Sequence, residues 1–229
     1  MIDLHTHTFY SDGKFSPSEV VQRAKANGVR ALAIADHDSW EGIPEAEVEG
    51  AKLGIEILSA IEFSTHWLGK ELHILGYGMD YRDMNILEYV EGKRARNRER
   101  VVKLVKRFQE LGFVVSEEEV FSRGKNSLKR VHAVLSVLEE PENEHLLRKH
   151  IPSECELSVG SIWKTFLSEG KLAFVPGQET PVELIAGLVH GAGGVISLAH
   201  PGLAQWKDAE ADISQVVALG LDGIECFYS

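Results

Sequence analysis

Cysteine is nearly absent from this chain: Cys155 and Cys226 are its two thiols in 229 residues. They form no C-x-x-C pair, which excludes a thiolate zinc knuckle and a disulfide framework; the expectation is two buried, reduced thiols. Long apolar runs are also missing, so no bilayer-spanning segment is expected. The chain opens on a strand-like stretch without a basic region followed by an apolar one. No secretory signal is therefore read, and a cytoplasmic location is expected. Positive charge is in short supply, with 24 Lys and Arg against 35 Asp and Glu and a formal charge of −11. That argues against nonspecific or stable DNA binding, and a phosphorylated substrate would need metals or local Arg and Lys to neutralise the site. Internal repeats and low-complexity segments are lacking. What remains is the composition of an ordinary globular protein, as one large domain or one domain with an insertion; oligomeric state is open.

The pattern along the chain alternates. Ile2 and Leu4 have the period of a half-buried strand. Ser16-Pro17-Ser18-Glu19 is a capping box opening a helix, and Val29 to Ala35 reads as a second strand. A helix over 43–53 ends at Gly54, followed by a strand over 55–61 and another over 71–76. From about Tyr81 the pattern is helical, with Val101, Val105 and Phe108 on one stripe, a second capping box at Ser116 to Glu119, and a helix near 161–168. Strands are expected again at 172–175, 194–199 and 223–228, with helices after Thr180-Pro181 and over 213–219. Such alternation predicts a mostly parallel α/β sheet, formed by 1–80 and 166–229, with 81–165 as a helical insertion.

Histidine is the residue whose placement stands out. His5 and His7 share a strand face, because side chains two apart point the same way, and the turn at Ser11-Asp12-Gly13 returns a carboxylate towards them. His37, Glu62, His73 and His200 each lie in or just after another apolar β segment. In parallel α/β folds, strand ends of this kind collect at one mouth. Imidazoles and carboxylates without thiolate suit Mn, Fe or Zn. His66, His145, His150 and His190 are read as surface residues. Trp67, Trp163, Trp206 and Phe227 are read as packing, and Trp40 as a possible wall of the mouth.

His5-Thr6-His7-Thr8 with Ser11-Asp12-Gly13, Asp36-His37-Asp38, Gly54 to Glu62, Glu71 to Tyr77 and Ala199-His200-Pro201 together resemble the PHP (polymerase and histidinol phosphatase) family. The likeness is greatest to stand-alone bacterial phosphoesterases that act on nucleotides and RNA 5′ ends. The resemblance implies a distorted, TIM-like (β/α)7 barrel with a trinuclear metal centre. It would place His5 and His7 on the first metal, Glu62 between the first and second, His73 and His200 on the second, and Asp12 and His37 on the third. The family's C-terminal Ser-Asp-x-His segment has no counterpart here, so the expectation is that the closing segment is missing from the chain, the alternative being a site that is itself incomplete.

The expected activity is hydrolysis of a phosphomonoester of a small nucleotide, or trimming of short RNA from its 5′ end, by a metal-activated hydroxide with two to three divalent ions. The alternative is a metal- or nucleotide-binding module without turnover. Asp36 or Asp38 is expected to orient the His37 imidazole, or else Asp38 caps the next helix. Arg94 and Arg98 continue the stripe of Val101 and Val105 and are expected to face the substrate. Lys129-Arg130-Val131-His132 stands where relatives show Gly-Arg-Pro-His, which makes Arg130 and His132 further substrate candidates.

Overall fold

Six strands form one sheet in the order β1-β2-β3-β4-β5-β6: β1 (Ile2–Thr6), β2 (Ala31–Ile34), β3 (Glu56–Trp67), β4 (Lys70–Tyr77), β5 (Val195–Leu198) and β6 (Gly223–Ile224). The computed structural model describes residues 1–124, 127–204 and 206–228. Among these the helices are α1 (Pro17–Ala26), α2 (Ile43–Leu53), α3 (Met84–Glu110), α4 (Glu117–Arg123), α5 (Arg130–Glu139), α6 (Glu144–His150), α7 (Val159–Ile162), α8 (Val182–Gly191) and α9 (Ala209–Val217). The chain divides into two units, Met1–Glu91 with Glu179–Ser229, and Gly92–Gln178. None of these helices is long and apolar enough to cross a membrane.

The sheet is mostly parallel, as the alternation predicts, with one strand reversed. The β1–β2, β2–β3 and β5–β6 pairs are parallel, but β4 runs antiparallel to both β3 and β5. The cause is local: only Leu68 and Gly69 join β3 to β4, at φ 49° and 75°. Two residues with positive φ make a hairpin turn, whereas a parallel crossover needs about a dozen residues.

Side-chain size sorts the two faces of the sheet. One face carries Ala33, Ala35, Ala60, Leu75 and Ala199, all buried together. The other carries larger groups under the helices. Leu32 and Ile34 pack with Val21, Ala24 and Ala46 of α1 and α2. Ile61, Phe63, Ile74, Ile196 and Leu198 pack with Val182, Ile185, Val189 and Val216 of α8 and α9. With mostly alanine inside and bulk outside, the sheet curls towards its small face. Tyr77 of β4 reaches across to donate its hydroxyl to the Leu4 carbonyl of β1 at 3.0 Å. Glu225, one residue beyond β6, meets His5 of β1 at 3.0 Å.

The second unit is helical, with a core of Val101, Leu104, Val105, Phe108, Val134, Val137 and Phe166. The strand expected at 172–175 does not form. Ala173 and Val175 pack into this core, and the Val175 carbonyl accepts from Arg100 Nε at 3.0 Å instead of from a neighbouring strand. A four-residue apolar run reads the same whether it is strand or buried loop. Further differences are smaller. β6 has two residues, α9 starts earlier at an Asp208 cap, and helix 161–168 is a short α-turn continued as a π-helix over Trp163–Leu167. Both cysteines are exposed rather than buried. Cys155 lies in a turn of polar residues, and Cys226 follows β6.

Candidate metal centre

Period-two alternation carries the small inner face directly into a polar rim. Ala35 is followed on the same side by His37, Ala60 by Glu62, and Leu75, on the reversed strand, is preceded by His73. His5 and His7 take the same side of β1. His200 breaks the alternation: Ala199 already faces inward, and a positive φ of 28° turns the next side chain inward as well. A non-glycine residue held there stores on the order of 1–3 kcal/mol of strain, which the surroundings must over-determine.

These side chains converge on Glu62, which is fully buried. Its Oε2 lies 3.3 Å from His5 Nε2, 3.3 Å from His7 Nε2 and 3.1 Å from His37 Nδ1. Its Oε1 lies 3.0 Å from His73 Nδ1 and 2.9 Å from His200 Nε2. Asp12 reaches the same rim from its turn, 3.6 Å from His7 and 3.4 Å from His37. That turn needs Gly13, where a Cβ would stand 2.4 Å from the His7 carbonyl oxygen. The seven candidates named from sequence are therefore neighbours.

Electrostatics follow from the crowding. Burial opposes ionisation of Glu62, but the imidazoles of His200, His5 and His73 outweigh it and hold the carboxyl far below the usual range. Burial likewise works against protonation of His73, yet Glu62 and Glu71 push its pKa up to about 9. His5 is raised in the same way, by Glu62 and Glu225 against burial. His7 goes down, through burial and the neighbouring His37.

The donor set fits divalent cations on a geometric ground. His5 Nε2 and Glu62 Oε2 are buried and 3.3 Å apart, yet neither finds a hydrogen-bond partner. Five imidazoles around one carboxylate, with no thiolate among them, are a donor set of the kind that divalent Mn, Fe or Zn accepts. Two groupings have ligand atoms within 4.8 Å of one another, His5-Glu62-His200 and His7-His37-Glu62, with Glu62 common to both. The resemblance pairs His5 with His7 and His73 with His200; His5 and His7 both lie 3.3 Å from Glu62 Oε2, while His73 and His200 face Oε1.

Around the rim, one expected role changes hands. Asp36 does not serve His37. Its Oδ1 accepts from Thr8 N–H at 2.7 Å and Ser11 Oγ at 2.5 Å, and its Oδ2 from Thr8 Oγ1 at 2.6 Å. Ser11 Oγ is in turn 3.3 Å from His7 Nδ1, so Asp36 reaches His7 through Ser11. The reason is again alternation, since Asp36 and His37 point to opposite faces. Asp38, at φ 46°, accepts from the Ser64 N–H at 3.1 Å. It is not a helix cap, because α2 begins after Gly42.

The substrate candidates belong to the second unit. Arg98 lies 4.2 Å over the Phe121 ring and Arg130 4.5 Å over Trp163. His132 Nδ1 accepts from the Lys129 N–H at 3.1 Å, and burial with Lys129 and Arg123 nearby lowers its pKa. Arg94 is half-buried on α3. Trp163 thus serves as a platform for Arg130. Trp67 and Trp206 pack 6.4 Å apart, and Trp40 stacks on Tyr81 at 6.1 Å. His66 is not a surface residue: it sits half-buried in β3 and accepts from the Thr180 N–H.

The PHP domain model matches residues 3–148. The chain belongs to the PHP family. It is 30% identical over 201 residues to a 5′-3′ exoribonuclease of Haemophilus influenzae, covering 87% of this chain and 68% of that protein. It is 29% identical over 201 residues to a 3′,5′-nucleoside bisphosphate phosphatase of Chromobacterium violaceum, covering 88% and 67%. The chain thus spans about two thirds of the length of these PHP relatives. A solved amidohydrolase structure from Chromobacterium violaceum, with bound sulfate, superposes with a TM-score of 0.78 at 27% identity, covering 97% of this chain and 75% of that one.

Proposed function

We propose that this PHP chain is a metal-dependent phosphoesterase that removes phosphate from a small nucleotide, of the nucleoside bisphosphate kind, or trims short RNA from its 5′ end. The observation that carries this reading is the buried Glu62 carboxylate, in contact with five imidazoles delivered by four separate segments. His5, His7, Asp12, His37, Glu62, His73 and His200 would hold two to three divalent ions, Mn, Fe or Zn. Bound there, such ions supply a water of near-neutral pKa and positive charge for the phosphoryl oxygens. The protein's own part is to fix the imidazoles by their outer hydrogen bonds and to keep Glu62 ionised. Arg130, His132, Arg94 and Arg98 are the groups we assign to the substrate's phosphates and base, arginine for its bidentate fit. We read the curled sheet as part of a TIM-like (β/α)7 barrel, with 81–165 as the insertion, acting on cytoplasmic substrates.

The test is phosphate release from a nucleoside bisphosphate, and nucleotide release from a short 5′-phosphorylated RNA, with manganese and after chelation. Metal-dependent release is expected, and His73→Ala should lower it about a hundredfold or more, as loss of a group at a metal site does. Metal uptake without release from either substrate would favour the binding module.

Loading should also release protons. His73 is protonated at pH 7, since its pKa is raised to about 9. A ligating imidazole must be neutral, so each displaced proton raises apparent affinity about tenfold per pH unit between neutrality and that value. Calorimetry with manganese in two buffers of different ionisation enthalpy reads this directly. Buffer-independent heats would show that no proton leaves.

A further inference from the structure

The sheet's first and last strands are joined at the rim by one side chain that lies outside the ligand set. Glu225 follows β6, and its carboxylate is largely shielded from solvent. Its Oε1 is 3.0 Å from His5 Nδ1, and its Oε2 accepts from the His200 backbone N–H at 2.7 Å. Its own backbone N–H donates to the Leu198 carbonyl at 2.9 Å, fixing it to β5. Both oxygens are therefore spent on two residues that flank Glu62 from opposite sides, His5 on β1 and His200 just after β5.

We infer that Glu225 is a positioning residue for the centre: it keeps the His5 proton on Nδ1 so that Nε2 faces inward, and it clamps the His200 backbone in its left-handed conformation. The chemistry is general. An imidazole that gives one nitrogen to a metal donates its other N–H to a carboxylate, which fixes ring orientation and raises basicity. The second contact is particular to this chain, because the strained His200 backbone, φ 28°, is held through its N–H by the same carboxylate. Aiming His5 and aiming His200 are thereby one event. This rests on the reading of His5 and His200 as ligands.

The experiment uses cobalt(II) as probe on the whole chain, reading affinity from its visible spectrum and imidazole N–H signals from paramagnetic proton NMR. Glu225→Gln keeps the size but offers one oxygen and an NH2, so it satisfies one of the two N–H groups and opposes the other. Expected are a 10–100-fold loss of cobalt affinity and faster solvent exchange of one shifted N–H resonance. In the manganese-loaded enzyme kcat should fall with KM nearly unchanged. Glu225→Asp, too short to span both partners, should recover one effect and not both. Wild-type affinity and exchange in folded Glu225→Gln would overturn the inference. His5→Ala and Glu62→Gln run alongside: if these too bind cobalt normally, the metal reading itself fails, whereas their failure beside a normal Glu225→Gln rejects the positioning role alone.

Discussion

Glu62→Gln is expected to abolish metal loading at both groupings at once and to reduce phosphate release by about a hundredfold or more. The carboxylate is common to His5-Glu62-His200 and His7-His37-Glu62, so its loss cannot be confined to one of them. An amide of the same shape has one acceptor oxygen where two are in use, and its NH2 would face imidazoles that also need acceptors. The metal-free protein should respond in a second way. Because the folded pKa of His73 is raised, its contribution to stability is complete below its ordinary value of 6.5 and is lost as pH climbs through about 9. Wild-type melting temperature should fall over that window, and Glu62→Gln, which leaves Glu71 beside His73, should show a shallower decline. Metal content by elemental analysis and a pH series of thermal melts check both. Retained metal in a folded Glu62→Gln protein would remove the basis for the proposed function.

Asp36→Ala is expected to have the largest effect on folding. Asp36 and Thr8 are both buried, at 1% and 0% exposure, and the carboxylate takes three hydrogen bonds from Thr8 and Ser11. Alanine strands a buried backbone N–H and hydroxyl. At roughly 1.5–3 kcal/mol for a hydrogen bond to a charged group, partly recovered by water, the loss should be about 3–5 kcal/mol. In a chain of this size each kcal/mol moves the melting temperature by about 2–4 °C, giving a fall of roughly 6–20 °C. Ser11 would also be released from its place beside His7, so metal affinity should drop in protein that is still folded. A melt within about 2 °C of wild type would mean that the Thr8–Ser11 turn does not depend on Asp36.

The ligand candidates were legible in sequence because chemistry and position coincide: each of His37, Glu62 and His73 stands two residues from a small or apolar inward group, and the period of a strand does the rest. His200 was found by its place after an apolar run, although strict alternation would have turned it outward. No periodicity encodes the positive φ that brings it in. Glu225 went unnoticed, being 220 residues from His5. One signal was available, as Gly223-Ile224-Glu225 repeats in miniature the Ala60-Ile61-Glu62 arrangement of an acid closing an apolar strand. The direction of β4 was also readable. A two-residue Leu68-Gly69 link admits only a hairpin, but the regular exchange of strands and helices elsewhere concealed it. Asp36 shows a limit of another kind. Adjacency to His37 suggested partnership, while opposite faces sent its oxygens to Thr8 and Ser11.

Ala33, Ala35, Ala60 and Ala199 hold a further implication. With Leu75 they form the layer beneath the imidazoles, so the bore of the curled sheet is set largely by alanine methyl groups. Any bulkier residue there would spread the strands and pull the nitrogens away from Glu62 without touching one of them. If ions bind as proposed, the size they can have would then be set by the least reactive atoms in the neighbourhood.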